Sequence, residues 1–122
     1  MRAHWKPRTP GQMNDTERWW AGTLEAAKLA GLIHDWRYEP ITLRLAKLTS
    51  YKPDFFVLET DGSITFQECK GSWKAPGQSD SRAKIKIAAE LFPWFKFEAV
   101  ELKKLAAKRG GGYTITKRET FG

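Results

Sequence analysis

Apolar and polar residues alternate most regularly in two segments near the middle of the chain. Residues 51–58 and 64–70 are both rich in β-branched and aromatic side chains, which favours strands. The segment between them contains Thr60, Asp61 and Gly62. A three-residue hairpin loop places its third residue in the left-handed region, which glycine adopts at little cost. The pattern therefore predicts a β-hairpin.

The three-residue loop also sets the register of the hairpin. Side chains alternate along a strand, so one face is predicted to carry three cross-strand pairs and one further residue: Leu58–Ile64, Phe56–Phe66, Asp54–Glu68 and Lys70. A two-residue loop would put Asp54 opposite Cys69 and scatter the apolar face, so we favour the longer loop. Directly opposed like charges destabilise a sheet, and a divalent cation would reverse that interaction. Mg²⁺ suits such a site because it takes few carboxylates and keeps waters and phosphate oxygens as its other ligands.

Each half of this pattern also has a common structural explanation. Pro53-Asp54 suits the entry to a strand, and Glu68 with Lys70 suits a surface ion pair. Neither explanation accounts for charges that share a face with apolar residues, where they are costly without a partner. We therefore interpret Asp54, Glu68 and Lys70 as a candidate metal-dependent phosphodiesterase site.

Helical patterns lie on both sides of the hairpin. Asn14 or Asp15 is predicted to cap a helix that runs to about Ala30 and ends at Gly31. Ser79 or Asp80 is predicted to cap a second helix, residues 81–92, that Pro93 ends. The apolar stripes are Trp20, Leu24 and Ala27 in the first helix, and Ile85, Ala88, Ala89 and Phe92 in the second.

The remaining segments complete an α/β pattern. Residues 33–38 and 95–102 are predicted strands, residues 42–45 either extend the first strand or pair separately, and residues 73–79 form a loop. The order αβββαβ predicts a sandwich around a mixed sheet. We expect a single domain with a core at 14–102, a basic arm at 1–13 and a basic tail at 103–122. In that tail, glycines 110–112 are read as a hinge and residues 113–116 as a short strand.

Glu17 has two interpretations that the sequence leaves open. It stands three residues after Asn14, which is the spacing of a capping box. It also falls on the apolar stripe of the first helix, at the end that could reach the candidate site. The second interpretation makes it a third carboxylate there.

Composition narrows the possible functions. The chain has 122 residues, a net charge of +7, one cysteine and two histidines, His4 and His34. A positive charge favours a polyanionic partner, and so few cysteines and histidines do not make a typical structural zinc site. Cys69 is predicted to lie on the other face of its strand from Glu68. This location favours a small core residue. With no secretory signal, membrane span or Gly-rich ATPase loop in the sequence, we expect a cytoplasmic protein that does not use ATP.

The element order and the charged residues resemble the PD-(D/E)xK nucleases over about residues 14–102. Asp54, Glu68 and Lys70 match the motif, and Glu17 matches the acidic residue that the family places on its first helix. The chain is similar to phage Holliday-junction resolvases of the endonuclease I type in three segments: Tyr51-Lys52-Pro53-Asp54-Phe55, Glu68-Cys69-Lys70-Gly71-Ser72-Trp73, and Asp80, Arg82 and Lys84. It is also similar to small phage proteins of the superfamily in the Ala30-Gly31-Leu32-Ile33 segment. Cys69 departs from the family's usual β-branched or small residue, and the loop 74–78 is longer than in the resolvase.

The resemblance implies a catalytic arrangement. Asp54, Glu68 and the main-chain carbonyl of Cys69 would hold one or two Mg²⁺ ions, with Mn²⁺ able to substitute, and Glu17 would complete the second position. Lys70 would orient or deprotonate the attacking water, or neutralise the developing phosphorane charge. Hydrolysis would be in line and leave a 5′-phosphate.

The resemblance also implies DNA as the partner. The predicted contact residues are Lys52, Trp73, Lys74, Arg82, Lys84 and Lys86, and the basic arm, helix and tail would contact phosphates without reading sequence. Lys84 and Lys86 suit a solvated helix face equally well, and Trp73 suits a cover over the sheet edge better than a base stacker. Trp5, Trp19 and Trp20 suit core or dimer contacts. Cutting a junction requires two symmetric nicks, so the resemblance implies a two-fold homodimer. It also implies a phage or prophage protein that acts in a bacterial cytosol.

Three functions follow in order of preference. The first is a structure-selective endonuclease on branched DNA such as Holliday junctions. The second is a nuclease that cuts single-stranded, flap or non-specific DNA. The third is a non-catalytic DNA-binding module.

Overall fold

A computed structural model of the chain describes residues 12–71 and 78–122. It contains, in order, α1 (Asp15–Leu29), β1 (Asp35–Tyr38), β2 (Leu43–Ala46), β3 (Thr49–Tyr51), β4 (Phe55–Leu58), β5 (Ile64–Lys70), α2 (Gln78–Leu91), β6 (Lys96–Lys104), a 3₁₀ turn (Ala107–Arg109) and β7 (Tyr113–Phe121). The main sheet has the strand order β1-β4-β5-β6-β7. Strands β5 and β6 are parallel and the other neighbours are antiparallel. The predicted α/β fold with a mixed sheet is therefore confirmed. No helix among the described residues is long and apolar enough to cross a membrane.

Local signals fix both ends of α1. The Asn14 side chain accepts a hydrogen bond from the Glu17 N–H, and the Glu17 carboxylate accepts one from the Asn14 N–H, which completes a capping box. At the other end, Gly31 has a φ of +78°, and the Leu32 N–H donates to the Ala27 carbonyl. This is the Schellman geometry that ends a helix at a left-handed glycine, so the predicted helix is confirmed at both ends.

The β4–β5 hairpin has the predicted register. Leu58 lies opposite Ile64, and Phe56 lies opposite Phe66. The loop is closed by hydrogen bonds between Glu59 and Ser63 and between Gly62 and Glu59, and Gly62 has a φ of +89°. The three-residue loop therefore sets the pairing, as expected from its glycine.

The segment before this hairpin differs from the prediction. Strands β2 and β3 pair with each other in a separate two-stranded ribbon, which decides between the two alternatives for residues 42–45. Tyr51 ends β3, and β4 begins only at Phe55. The prediction of one continuous strand over 51–58 was therefore wrong. Pro53 lies in the break, where its missing N–H costs no ladder hydrogen bond.

The sheet separates two hydrophobic clusters. One joins α2 and the β2–β3 ribbon to the sheet through buried residues that include Tyr51, Phe66, Ile85 and Phe97. The other joins α1 to the opposite face through Trp20, Leu24, Phe55 and Val100. Successive residues of β5 therefore serve different clusters, and the end of the sheet is where side chains from both faces can meet.

The C-terminal part of the chain also differs from the prediction. Residues 113–121 form a nine-residue strand that pairs with β6, and Phe121 is buried in the α2-side cluster. Ending the core at residue 102 and reading 103–122 as a tail was therefore wrong. Similarly, α2 spans Gln78–Leu91, so residues 79 and 80 lie within the helix and not at the predicted cap position before residue 81. The predicted arm at 1–13, except residues 12 and 13, and the loop segment 73–77 lie outside the described residues.

Candidate active site

A pocket of about 360 Å³ lies at the end of the sheet where β5 finishes. Its lining residues come from α1, from the start of β4 and from the end of β5: Asn14, Thr16, Glu17, Asp54, Glu68, Cys69, Lys70 and Gly71. The four candidate catalytic residues, Glu17, Asp54, Glu68 and Lys70, are therefore brought together from three parts of the chain.

Asp54 lies directly before β4 and is held against β5. Its Oδ2 atom accepts a hydrogen bond from the Cys69 main-chain N–H at 2.9 Å. Burial and then the nearby charge of Glu68 raise the pKa of Asp54 well above its usual value, and the Cys69 hydrogen bond opposes this only in part. The site therefore disfavours a second negative charge unless a cation is present.

Glu68 is fixed from both sides of its carboxylate. The Tyr51 hydroxyl donates to Oε1 at 2.9 Å, and the Lys70 ammonium lies 2.7 Å from Oε2. All three side chains have little solvent exposure, 6% for Tyr51, 7% for Glu68 and 12% for the Lys70 side chain, so both contacts are shielded from water. Burial, and then the Glu68 charge, raise the pKa of Tyr51, which keeps the hydroxyl protonated as a donor.

The position of Glu17 agrees both with a capping box and with a carboxylate at the candidate site. Its Oε1 atom takes part in the capping box and also accepts a hydrogen bond from the Tyr38 hydroxyl at 3.0 Å. The same residue is buried, with 4% exposure, and lines the pocket. The capping box therefore positions the Glu17 carboxylate at the pocket and does not compete with that location.

Sequence reasoning missed Tyr38 and Tyr51 as partners of the carboxylates. Tyr51 belongs to the Tyr-x-Pro-Asp segment, so its spacing from Asp54 was a usable signal. Tyr38 ends β1 and carried no comparable signal, because its contact with Glu17 joins residues 21 positions apart.

Cys69 behaves as a core residue. Its side chain packs against the α1-side cluster, and burial raises the pKa of its thiol. A protonated, half-buried thiol is a poor nucleophile. The prediction of a small core residue is therefore confirmed.

The donor chemistry of the pocket suits a hard cation, although no complete ligand cage is present. Three carboxylates, Glu17, Asp54 and Glu68, line the pocket with one ammonium, Lys70. Within residues 12–71 and 78–122, no group of three or more His, Cys, Asp and Glu side chains is close enough to hold an ion together. Mg²⁺ commonly binds through one or two carboxylates and completes its shell with water and phosphate oxygens. Asp54 and Glu68 fit that requirement, and an ion there would compete with Lys70 for Glu68.

The predicted DNA-contact residues are distributed unevenly. Lys52 is exposed next to the break before β4, and Lys86 is exposed on α2, where Lys84 is half-buried. Arg82 instead donates two hydrogen bonds to Glu119 of β7, at 2.6 and 2.5 Å, and lies over the Phe121 ring. It therefore fastens α2 to the edge strand. Trp73 and Lys74 lie outside the described residues.

Neither family models nor curated proteins provide a relative of this chain. No protein-family model matches the chain, and no curated protein matches it. Conclusions about function therefore rest on the residues and on the pocket that they form.

Proposed function

We propose that this protein is a Mg²⁺-dependent endonuclease of the PD-(D/E)xK type that hydrolyses DNA phosphodiester bonds. The observation that carries the proposal is the convergence of Glu17, Asp54, Glu68 and Lys70 on one pocket at the sheet end. Carboxylates grouped with a lysine are the chemistry that a metal-assisted phosphodiester hydrolysis needs.

The residues take distinct roles in this proposal. Asp54 and Glu68 would hold Mg²⁺ together with the Cys69 main-chain carbonyl, and Glu17 would complete a second position. The bound metal would supply a water of lowered pKa and positive charge beside the scissile phosphate. Lys70 would orient the attacking water or neutralise charge that develops on the phosphate.

The substrate class is supported by charge and by resemblance. A net charge of +7 favours a polyanion. The preference for branched DNA and the two-fold homodimer rest on the resemblance to junction resolvases. A nuclease acting on single-stranded, flap or non-specific DNA uses the same pocket and differs only in how the DNA is held.

A non-catalytic DNA-binding module is the second candidate, and one observation favours it. Glu68 is already bonded to both Tyr51 and Lys70. Such a pair, fully bonded without metal, is what a purely structural site would contain. The two candidates differ in whether Mg²⁺ binds in the pocket.

The deciding experiment is cleavage of a labelled four-way junction in Mg²⁺, beside single- and double-stranded linear DNA of matched sequence. The variants Glu68→Gln and Lys70→Ala remove one charge each from the pocket. Glu90→Gln and Lys96→Ala are the matched controls, because both residues are exposed outside the lining of the pocket.

Symmetric junction nicks that both pocket variants lose, and both controls keep, would establish a resolvase-like enzyme. Cleavage of linear strands with the same variant pattern would instead establish a general nuclease. Tight binding without cleavage of any substrate, combined with no Mg²⁺ binding by calorimetry, would leave the DNA-binding module.

A further inference from the structure

A basic segment begins in the last two residues of β6, at the end of the sheet that carries the candidate site. We call residues 103–112 the basic turn. Its cations are Lys103, Lys104, Lys108 and Arg109, and all four are exposed. In the described part of the chain, no salt bridge involves any of them. This charge is therefore presented to solvent without an acidic side chain to balance it.

Strand register places the start of the basic turn beside the pocket. β5 and β6 are parallel, and Lys70 lies opposite Glu101. Lys103 is two residues farther along β6, so its Cα lies about 8 Å from that of Lys70, from the usual rise and spacing of strands. Because side chains alternate, Lys103 projects from the same sheet face as Glu101 and Lys70.

The backbone of the basic turn is closed by its own hydrogen bonds, and a hinge at its glycines stays a prediction. Gly110, Gly111 and Gly112 have φ values of +95°, +67° and +72°, a region that other residues rarely adopt. Hydrogen bonds close the turn from Leu105 N–H to the Gly112 carbonyl and from Gly111 N–H to the Ala106 carbonyl.

The turn also packs against α1. A Cβ on Gly112 would lie 3.1 Å from the Trp19 indole nitrogen, and the Tyr113 ring lies 5.7 Å from that of Trp19. Trp19 is two residues beyond Glu17, which lines the pocket. The basic turn therefore begins in β6, beside β5, and ends against α1.

We propose that the basic turn receives the phosphate backbone of the DNA next to the scissile bond. This inference rests on the proposed function and names the surface that holds its substrate. A Cα separation of about 8 Å is roughly two axial rises of B-DNA, so Lys103 would meet a phosphate close to the reacting one. A turn closed by its own hydrogen bonds presents its charges with less ordering cost on binding, and lysines contact phosphates without reading base sequence.

Other surfaces fit this role less well. Arg82 on α2 is held by Glu119, so the helix keeps fewer cations for DNA than its sequence suggested. An anionic membrane would also attract four cations, but Leu105, the large apolar residue of the basic turn, is half-buried. Interfacial binding needs an apolar face to insert.

The test is the salt dependence of DNA binding in Mg²⁺-free buffer, measured by fluorescence anisotropy on a labelled duplex and a four-way junction. The full chain would be compared with Lys103→Ala/Lys104→Ala, with Lys108→Ala/Arg109→Ala and with the quadruple variant. Lys47→Ala/Lys96→Ala is the matched control, because it removes two exposed charges, one from the β2–β3 turn and one from the opposite end of β6.

Each phosphate contact adds about 0.9 to the slope of log K against log salt. We expect each double variant to lower the slope by about 1 to 2 and the quadruple variant by about 3, with affinity at least about tenfold weaker. The control should change the slope by less than about 0.5. Melting temperatures would be measured for every variant, and exposed substitutions of this kind leave them nearly unchanged.

Equal slopes in the quadruple variant and the control would overturn the inference about the basic turn. Cleavage by the unchanged protein would still support the proposed function. Binding to phosphatidylserine vesicles in preference to DNA would overturn it in favour of a membrane surface. The unchanged protein could also bind DNA without cutting it, while the quadruple variant loses that binding. This result would support the basic turn as a DNA-binding surface and contradict the nuclease function.

Discussion

Two groups of acids lie at opposite ends of β5 and differ in how their charge is balanced. The candidate active site lines a pocket of about 360 Å³ with Glu17, Asp54, Glu68 and one cation, Lys70. The pocket at the other end, about 220 Å³, is lined by two acids and two cations, together with Thr65 and Thr120: Glu59, Glu98, Lys96 and Arg118.

The second group forms a closed network. Arg118 donates to both carboxylate oxygens of Glu98, at 2.7 and 2.8 Å. The buried Gln67 donates to Glu98 at 2.9 Å and accepts from the Trp20 indole at 2.8 Å. Such a network stabilises the packing of α1 on the sheet and has no excess charge for a ligand to neutralise.

Acid content alone does not mark a functional site in this molecule. Both groups place carboxylates on the same sheet, but the pocket at the end of β5 concentrates like charge, and there the pKa of Asp54 is raised. Excess negative charge around one pocket favours the binding of a cation there. A network whose charges are already balanced does not favour it. Matched substitutions of the two groups should therefore have opposite effects.

The largest expected effect is that of Asp54→Asn. The amide keeps an acceptor for the Cys69 N–H but removes a proposed metal ligand, so the Mg²⁺-dependent cleavage rate should fall by at least about 10³-fold. Removing one of the opposed charges should also raise the free energy of unfolding by about 1 kcal/mol. Single-turnover cleavage and urea unfolding without Mg²⁺ measure the two effects. A less stable variant would show that the charge of the pocket is not a source of strain.

Tyr51→Phe should have an intermediate effect. Loss of the hydroxyl removes a donor that orients Glu68, and residues that orient metal ligands commonly contribute about 10-fold or more to metal affinity. The Mg²⁺ concentration for half-maximal cleavage should therefore rise about tenfold, while KM for DNA stays unchanged. Tyr113→Phe, which deletes a hydroxyl on the α1 side of the sheet, is the control. Identical Mg²⁺ dependence in the two variants would show that the Tyr51 hydroxyl does not affect metal binding.

The smallest expected effect is that of Glu98→Gln, which makes the same acid-to-amide change in the balanced network. Arg118 loses a charged partner, so the free energy of unfolding should fall by about 1 kcal/mol. Cleavage should stay within about twofold of the unchanged protein, because Glu98 does not line the candidate site. A gain in stability, as expected for Asp54→Asn, would erase the distinction between the two groups.

Short-range signals predicted part of this molecule well. The ends of α1 followed from Asn14, Glu17 and Gly31, and the hairpin register followed from the position of Gly62. Each of these depends on residues only a few positions apart, so local backbone preference decides the outcome. The same register led to Asp54, Glu68 and Lys70 as one group before the structure was considered.

The errors fall where distant residues decide the structure. β7 has mostly exposed side chains, and only residues 113–116 of the tail were predicted as a strand. It extends to Phe121 because β6 supplies backbone partners at the sheet edge. Tyr51 appeared to begin the strand of Asp54, but pairing with β2 assigns it to another sheet.

By itself, the sequence determined the local elements, the hairpin register and the identity of the charged residues, because these follow from alternation, capping and turn chemistry over short distances. Only the tertiary structure decided that Glu17 reaches the pocket of Asp54 and Glu68, that Tyr38 and Tyr51 hold two of those carboxylates, and that the basic turn packs against α1. Those relations join residues far apart in the chain. Their geometry depends on how two helices and seven strands of the described chain pack together, which no local pattern records.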